Sequence, residues 1–264
     1  MTPLLKNRVA VLVGVGSPGD TVSNGRATAL TFAREGADLL LVDRDDDALA
    51  ACADALASSG VKVATARVDA TREDDVQGLF DRCRREFGKL DVLHNNIGMA
   101  SAGRLTKTNE AAFDTCVSVN LKSIFFLCKH ALPMMEEQGS GVITNISSIS
   151  SIRHLGINSP LYDMTKAGLN GLTRHIAVQY GPRGIRANSI LVGMMDTPLA
   201  RGGIRAAGRE IDEIYGGYVD RIPLRRMGTG YDTAHLAAFL ASDLGAYING
   251  AEIVVDGGLT VKSG

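Results

Sequence analysis

The 264-residue sequence predicts an α/β chain: a doubly wound parallel sheet of about seven strands with helices on both faces, in a single domain over 1–264. Three observations lead there. Short β-branched runs alternate with longer segments of helical period almost from end to end. The first of these runs is apolar throughout, as a strand buried on both faces must be. No linker, low-complexity tract, composition shift or internal repeat interrupts the alternation.

Each element has its own reason. "RVAVLV" (8–13) is the first strand. "RATALTFAREG" (26–36), with apolar residues spaced near one helical turn and a closing glycine, is the first helix. "ADLLLVD" (37–43) reads as the second strand and "DDALAACADALASSG" (46–60) as the helix after it. "VKVATARVD" (61–69) and "REDDVQGLFDRCRREFG" (72–88) repeat the unit, and "LDVLHNNIG" (90–98) is the fourth strand. A long helical stretch over 109–137 leads into the strand "GVITNISS" (141–148), and a further helix covers 159–180. "IRANSILVG" (185–193), a helix over 231–242 and "AEIVVDGG" (251–258) complete the alternation. Before that last helix, 194–229 is polar, glycine-bearing and without clear period. Connections that long are usually lids or binding loops, so a substrate-binding lid is expected there.

A formal net charge of −1 gives no electrostatic pull toward nucleic acid or an anionic membrane, and neither is expected as a partner. Cys52, Cys83, Cys116 and Cys128 have no C-x-x-C spacing; they read as reduced small hydrophobes, with no disulfide and no metal site. No signal-peptide pattern opens the chain, and no apolar run approaches the ~20 residues of a transmembrane helix, which points to the cytoplasm.

In a doubly wound sheet, ligands bind beyond the carboxyl ends of the strands, where strand order reverses. The first strand ends at Val13. "GVGSPGDTVSNGRATAL" (14–30) follows at once, with Gly14, Gly16 and Gly19 spaced like a dinucleotide-binding turn. Glycine lets backbone N–H groups approach a pyrophosphate, and the helix N-terminus behind them favours negative charge. Asp43 closes the second strand, where a carboxylate accepts both adenosine ribose hydroxyls and repels a 2′-phosphate, so NAD is expected over NADP. Asp43 also reads as a helix N-cap in "DRDDD", and Arg44 beside it would offset part of the repulsion.

Tyr162 and Lys166 lie four apart on the 159–180 helix, so both side chains leave on one face. An ammonium beside a phenol stabilises the phenolate and lowers a pKa that is otherwise about 10, making a usable general acid/base. Ser147 and Ser148 end the fifth strand on the same sheet edge as the glycine turn, where a hydroxyl can hydrogen-bond a substrate oxygen.

With others in the same order, these motifs resemble the short-chain dehydrogenase/reductases over essentially the whole chain. The resemblance rests on "NNIG" (95–98), "VSVNLKS" (117–123), "ITNISS" (143–148), "YDMTKAG" (162–168), "GPRGIRANSI" (181–190), "GMMDTP" (193–198), "FLASD" (239–243) and "VVDGG" (254–258). It implies a Rossmann-like fold and an NAD(H)-dependent oxidoreductase interconverting a secondary alcohol and a ketone. Tyr162 would be the acid/base, and Lys166 would lower its pKa and hold the nicotinamide ribose. Ser148 would position the substrate oxygen, and Asn120 would hold a water in a proton relay to Lys166. Asn96 and Gly98 would line the cofactor, Asp69 would meet the adenine with Ala70 beside it, and Thr197 would reach the nicotinamide carboxamide or phosphate. Gly193 and Met195 complete the implied cofactor contacts. The family pairs through helices resembling 109–137 and 159–180, so a homotetramer or homodimer is expected.

Three departures accompany the match. Val13 stands where the family has a threonine that ties the loop down, Val192-Gly193 replaces its P-G, and Ser148 and Tyr162 are 14 apart rather than 13. Ser147 at 15 and Ser150 at 12 fit less well. The family's turn, T-G-x-x-x-G-x-G before R-A-x-A-L, anchors on "GRATAL", which makes Gly14 the first glycine and Gly25 the last, 11 apart rather than six. The middle glycine is then displaced to Gly19 or replaced by Ser23. Backbone amides around Ser17, Ser23 and Asn24 are expected to meet the phosphates. Asp20 is expected to turn outward, because a carboxylate beside a pyrophosphate costs binding energy.

Arg201, Arg205, Arg209, Arg221, Arg225 and Arg226 are interleaved in 194–229 with Glu210, Asp212, Glu213 and Asp220. A mixed-charge solvated face is the preferred reading, ahead of an anion site. His154, between Ser148 and Tyr162, is a candidate substrate contact, with a surface loop histidine as the plainer alternative. Met194, Met195 and Leu199 suggest an apolar wall for the substrate. His94 reads as a packed neutral histidine. Two other functions fit parts of the pattern. The family's enoyl reductases also have a longer first loop, but they place six residues between tyrosine and lysine rather than three. A non-catalytic nucleotide-binding sensor or scaffold would account for the altered glycine turn, but such proteins commonly lose the tyrosine or lysine.

Overall fold

The computed structural model describes residues 2–16 and 21–262. Its sheet contains β1 (Val9–Val13), β2 (Asp38–Asp43), β3 (Val63–Arg67), β4 (Val92–Asn95), β5 (Gly141–Ser148), β6 (Ile185–Val192) and β7 (Glu252–Val255). They lie in the order β3-β2-β1-β4-β5-β6-β7, and every neighbouring pair is parallel. Around them pack α1 (Asn24–Arg34), α2 (Asp46–Leu56), α3 (Glu73–Phe87), α4 (Glu110–Val117), α5 (Ser123–Gln138), α6 (Pro160–Tyr180), α7 (Pro198–Ala206), α8 (Ile211–Arg221) and α9 (Gly230–Ala241).

Successive residues of a strand face opposite sides. In β1, Val9, Val11 and Val13 join the core shared with α3, α5 and α6, while Ala10 and Leu12 join the core shared with α1, α2 and α9. Two buried faces require a strand that is apolar at every position. Strand order reverses at β1, which has β2 on one side and β4 on the other, so the binding crevice opens beyond Val13 and Asn95.

Two expectations change. The helical run over Glu110–Gln138 is long and apolar enough, by length and composition, to cross a membrane, where the sequence reading expects no such run. Its apolar character has a local cause: Ile124, Leu127, Cys128, Ala131, Leu132, Met134 and Met135 are buried in the core against the sheet. The run is also interrupted. Residues Ser118–Lys122 form a π-turn between α4 and α5, and such turns are frequent at functional sites.

The 194–229 segment is the second change. It is largely helical: neither α7 nor α8 has a fully buried residue, but Ile211, Ile214, Tyr215, Tyr218 and Val219 recur at helical spacing on the half-buried face of α8, a period interrupted by Gly216, Gly217 and charged residues. Its two ends are joined: Asp196 N donates to Gly228 O at 2.8 Å, and Gly228 N donates to Met194 O at 2.9 Å. His94 is 1% exposed. Neither of its ring nitrogens has a partner among the described residues, and burial holds its pKa down at about 4, so it is neutral as expected. All four cysteines are buried and free.

Candidate active site

The glycine turn is built by packing. Gly14 has φ +84°, and a Cβ on it would press against the Asn96 backbone; a Cβ on Gly25 would overlap the Gly14 carbonyl oxygen. Gly14 and Gly25 are therefore the two ends of the turn, folded against each other. Other groups replace the tie that Val13 cannot make. Asn96 Nδ2 donates to Gly14 O at 2.7 Å, Gly16 N donates to Asp43 Oδ2 at 3.1 Å, and Ser23 Oγ donates to Val15 O at 2.8 Å. Ser23 is also the N-cap of α1, accepting from Arg26 N at 3.2 Å. Asn24 opens α1. The expectations for Ser17, Gly19 and Asp20 lie outside the described residues.

Asp43 is not the cap of the following helix. Asp45 is, accepting from Asp47 N and Ala48 N. Asp43 instead takes the amides of Gly16, Arg44 and Asp45. A carboxylate offers about four acceptor positions, so its capacity for ribose hydroxyls is narrower than the expected double contact. Asp69 sits beyond β3 and accepts from both the amide and the hydroxyl of Thr71, which hold its pKa low; Arg44 and Arg72 add to that. Ala70 beside it is buried.

The chemical end lies across the crevice. Ser148 ends β5, Tyr162 and Lys166 share α6, and Asn120 occupies the π-turn. Lys166 is 2% exposed and Asn120 0%. Lys166 Nζ donates to Ile146 O at 2.7 Å and to Ile97 O at 3.4 Å, and lies 5.7 Å from the centre of the Tyr162 ring. Gly98 borders this ammonium: a Cβ there would sit 3.3 Å from Lys166 Nζ. Ser147 Oγ donates to Lys166 O and so turns away from the substrate side, which leaves Ser148 to face Tyr162.

The expected depression of the Tyr162 pKa by Lys166 is corrected. Burial raises the phenol above its ordinary value; the Ser148 hydroxyl pulls it back, and Asp163 and Cys116 push it further up. Lys166, whose ammonium bonds the Ile146 and Ile97 carbonyls, does not reverse the rise. Burial in turn lowers Lys166 to about 8.

At the other wall, Gly193 N donates to Val255 O, and Thr197 caps α7 by accepting from Ala200 N at 3.3 Å. Met194 and Met195 line a cavity of about 480 Å³ with Leu224 and Val255. Leu199, expected in an apolar wall, is instead 68% exposed on α7. His154 is exposed in the loop before α6. Four of the six arginines of 194–229 pair with nearby acids: Arg201 with Asp196, Arg209 with Glu213, Arg225 with Asp220, and Arg226 with Asp232.

Two groups were missed by sequence reasoning. Thr165 and Cys116 both contact Asn120; their positions, next to Lys166 and one helical turn before Asn120, were the available signal. Asp196 is a hub that accepts from Arg201 at 2.6 and 2.8 Å and from Tyr215 at 3.1 Å. Nothing in the spacing of those three residues advertised it.

Known proteins share this fold. A family model described as enoyl-(acyl carrier protein) reductase matches residues 20–260. Levodione reductase of Leifsonia aquatica is 34% identical over 261 residues, covering 97% of this chain and 96% of that protein. Cis-4-hydroxycyclohexanecarboxylate dehydrogenase of Sinomonas cyclohexanicum is 38% identical over 255 residues, covering 96% of each. A crystal structure of levodione reductase superimposes with a TM-score of 0.92 at 33% identity, covering 98% of this chain and 100% of that one. The structure of 7α-hydroxysteroid dehydrogenase complexed with NADH and 7-oxo glycochenodeoxycholic acid gives 0.88 at 29% identity, covering 97% and 96%. The chain thus belongs to the short-chain dehydrogenase/reductase family of oxidoreductases.

Proposed function

We propose that this chain is an NAD(H)-dependent oxidoreductase interconverting a secondary alcohol and a ketone, with the reacting carbon in an aliphatic ring. The observation that carries the reading is the meeting of Ser148, Tyr162, Lys166 and Asn120 at the carboxyl edge of the sheet, across the crevice from Gly14 and Asp43. The ring is taken from relatives named for a hydroxycyclohexanecarboxylate and a hydroxysteroid.

The residues present fit a dinucleotide. Gly14, at φ +84°, turns the backbone tightly past Asn96, and two buried oxygens beside the turn, Thr21 Oγ1 and Asn24 Oδ1, have no partner among the described residues. Gly14, Ser23, Asn24, Gly25, Asn96 and Gly98 would line it, Asp43 and Asp69 would meet the adenosine half, and Lys166 and Thr197 the nicotinamide half. When bound, the cofactor's nicotinamide accepts or supplies the hydride. Ser148 holds the substrate oxygen by a hydrogen bond. Tyr162 takes the hydroxyl proton as phenolate during oxidation and returns it as phenol during reduction. Because burial raises the Tyr162 pKa, oxidation speeds up as pH rises and more phenolate forms. The Asn120 side chain is bonded to Met99, so any water it holds is held by its backbone. The 194–229 segment serves as the lid. Exposed Phe113, Phe125, Met164 and Val178 on α4, α5 and α6 support assembly into a homodimer or homotetramer.

The enoyl-reductase reading draws on the description of the matching family model, but three residues between Tyr162 and Lys166 speak against it. A panel of ring alcohols, ring ketones and enoyl thioesters, each with NAD(H) and NADP(H), tests the proposal. Turnover of ring alcohols with higher kcat/KM for NAD supports it. Turnover of enoyl thioesters alone favours the reductase, and tight cofactor binding without turnover favours a sensor.

A further inference from the structure

Asn120 is the most heavily bonded polar side chain in the site. Its Oδ1 accepts from Met99 N at 2.8 Å, and its Nδ2 faces three acceptors: Met99 O at 3.1 Å, Thr165 Oγ1 at 3.1 Å and Cys116 Sγ at 3.3 Å. An amide has two protons for those three acceptors, and sulfur is the weakest of them. Thr165 Oγ1 donates its own proton to Tyr162 O at 2.9 Å, so toward Asn120 it acts as an acceptor. Its two bonds connect the backbone of the turn carrying Tyr162 to the π-turn.

The connection closes into a ring. From Thr165 it runs through Asn120 to Met99, then along the backbone to Gly98 and Ile97. Ile97 O accepts from Lys166 Nζ, and Lys166 is the chain neighbour of Thr165. One buried hydroxyl, 1% exposed on its residue, thus helps to set the position of the 97–99 loop relative to Lys166, beside the Asn120–Met99 and Lys166–Ile97 bonds. An error of about 1 Å in such a position can cost on the order of a hundredfold in rate.

We propose that Thr165 is a positioning residue for proton transfer: its hydroxyl locks Asn120 and the 97–99 loop at the depth that Lys166 and Tyr162 require. This rests on the dehydrogenase reading above. The test compares Thr165→Val, which keeps the shape and removes the hydroxyl, with Thr165→Ser, which keeps the hydroxyl, in the full chain with NAD and the best ring alcohol of the panel. Thr165→Val is expected to lower kcat roughly 10- to 100-fold, leave KM and the NAD dissociation constant within about twofold, and shift the pH of half-maximal kcat. Thr165→Ser restores kcat and the pH profile. Wild-type kcat and pH profile in Thr165→Val would overturn the proposal. Thr165→Ala repeats the removal if Thr165→Val does not fold; failure of both to fold assigns the hydroxyl to the core instead and also overturns it. Absence of turnover in the wild-type enzyme is a distinct result, and it overturns the dehydrogenase reading.

Discussion

Asn120, Ser148 and Lys166 on one side, and the 194–229 segment on the other, are held by different kinds of bond. The first group is buried, and most of its hydrogen bonds run to main-chain groups of β4, β5 and the loops that follow them. α7 and α8 bury no residue and are held by side chains that keep some access to water: Arg201 and Tyr215 on Asp196, and Arg221 Nη2 on Leu155 O at 3.1 Å. Buried neutral partners are nearly indifferent to salt, whereas exposed charge pairs are screened and contribute little each. The proposed catalytic platform is thus held mainly by buried bonds, and α7 and α8 mainly by partly exposed ones. Chemistry should respond to changes in the platform, and substrate affinity to changes in the segment.

The largest expected effect tests the platform. Tyr162→Phe keeps the ring and removes the proton carrier, and kcat should fall roughly a thousandfold with NAD binding within about twofold by fluorescence titration. A comparable loss of NAD binding would show that the platform and the cofactor site are not separable.

Acid should weaken the sheet beneath the platform. His94 is buried with a pKa of about 4 against an ordinary value of 6.5. Between those values the unfolded chain takes up a proton that the folded chain refuses. Its contribution is therefore full above pH 6.5 and lost as pH falls toward 4, by about 3 kcal/mol in all. Urea unfolding at pH 7 and pH 5 measures the slope, and His94→Leu should flatten it. An equal slope in that variant would assign the acid sensitivity elsewhere.

Smaller effects belong to the segment. Arg201→Ala removes both hydrogen bonds to Asp196 and should raise KM for the substrate roughly fivefold, with kcat changed less than about twofold. Tyr215→Phe removes one hydrogen bond and should raise KM by roughly twofold. If either variant lowered kcat more than it raised KM, the segment would be part of the catalytic platform.

The sequence made the sheet legible because burial on both faces leaves no polar position in β1, and it made the turn legible because Gly25 cannot carry a Cβ against Gly14. Tyr162 and Lys166 were legible from helical spacing, and His94 from its place inside an apolar strand. What escaped was marked weakly. The apolar residues of α8 are only half-buried and are interrupted by Gly216, Gly217 and charged residues, so the segment reads as irregular. The π-turn at Asn120 depends on Met99, Thr165 and Cys116, which come from three separate elements. The raised Tyr162 pKa follows from burial, which the helical spacing of Tyr162 and Lys166 does not reveal.

The most direct test follows the transferred hydrogen. A ring secondary alcohol deuterated at the carbinol carbon, incubated with NAD and this protein, should yield the ketone together with deuterium-labelled NADH by mass spectrometry. Tyr162→Phe, still binding NAD, should yield neither at a comparable rate. Ketone formation without label in the nicotinamide, or full activity in Tyr162→Phe, would contradict the account.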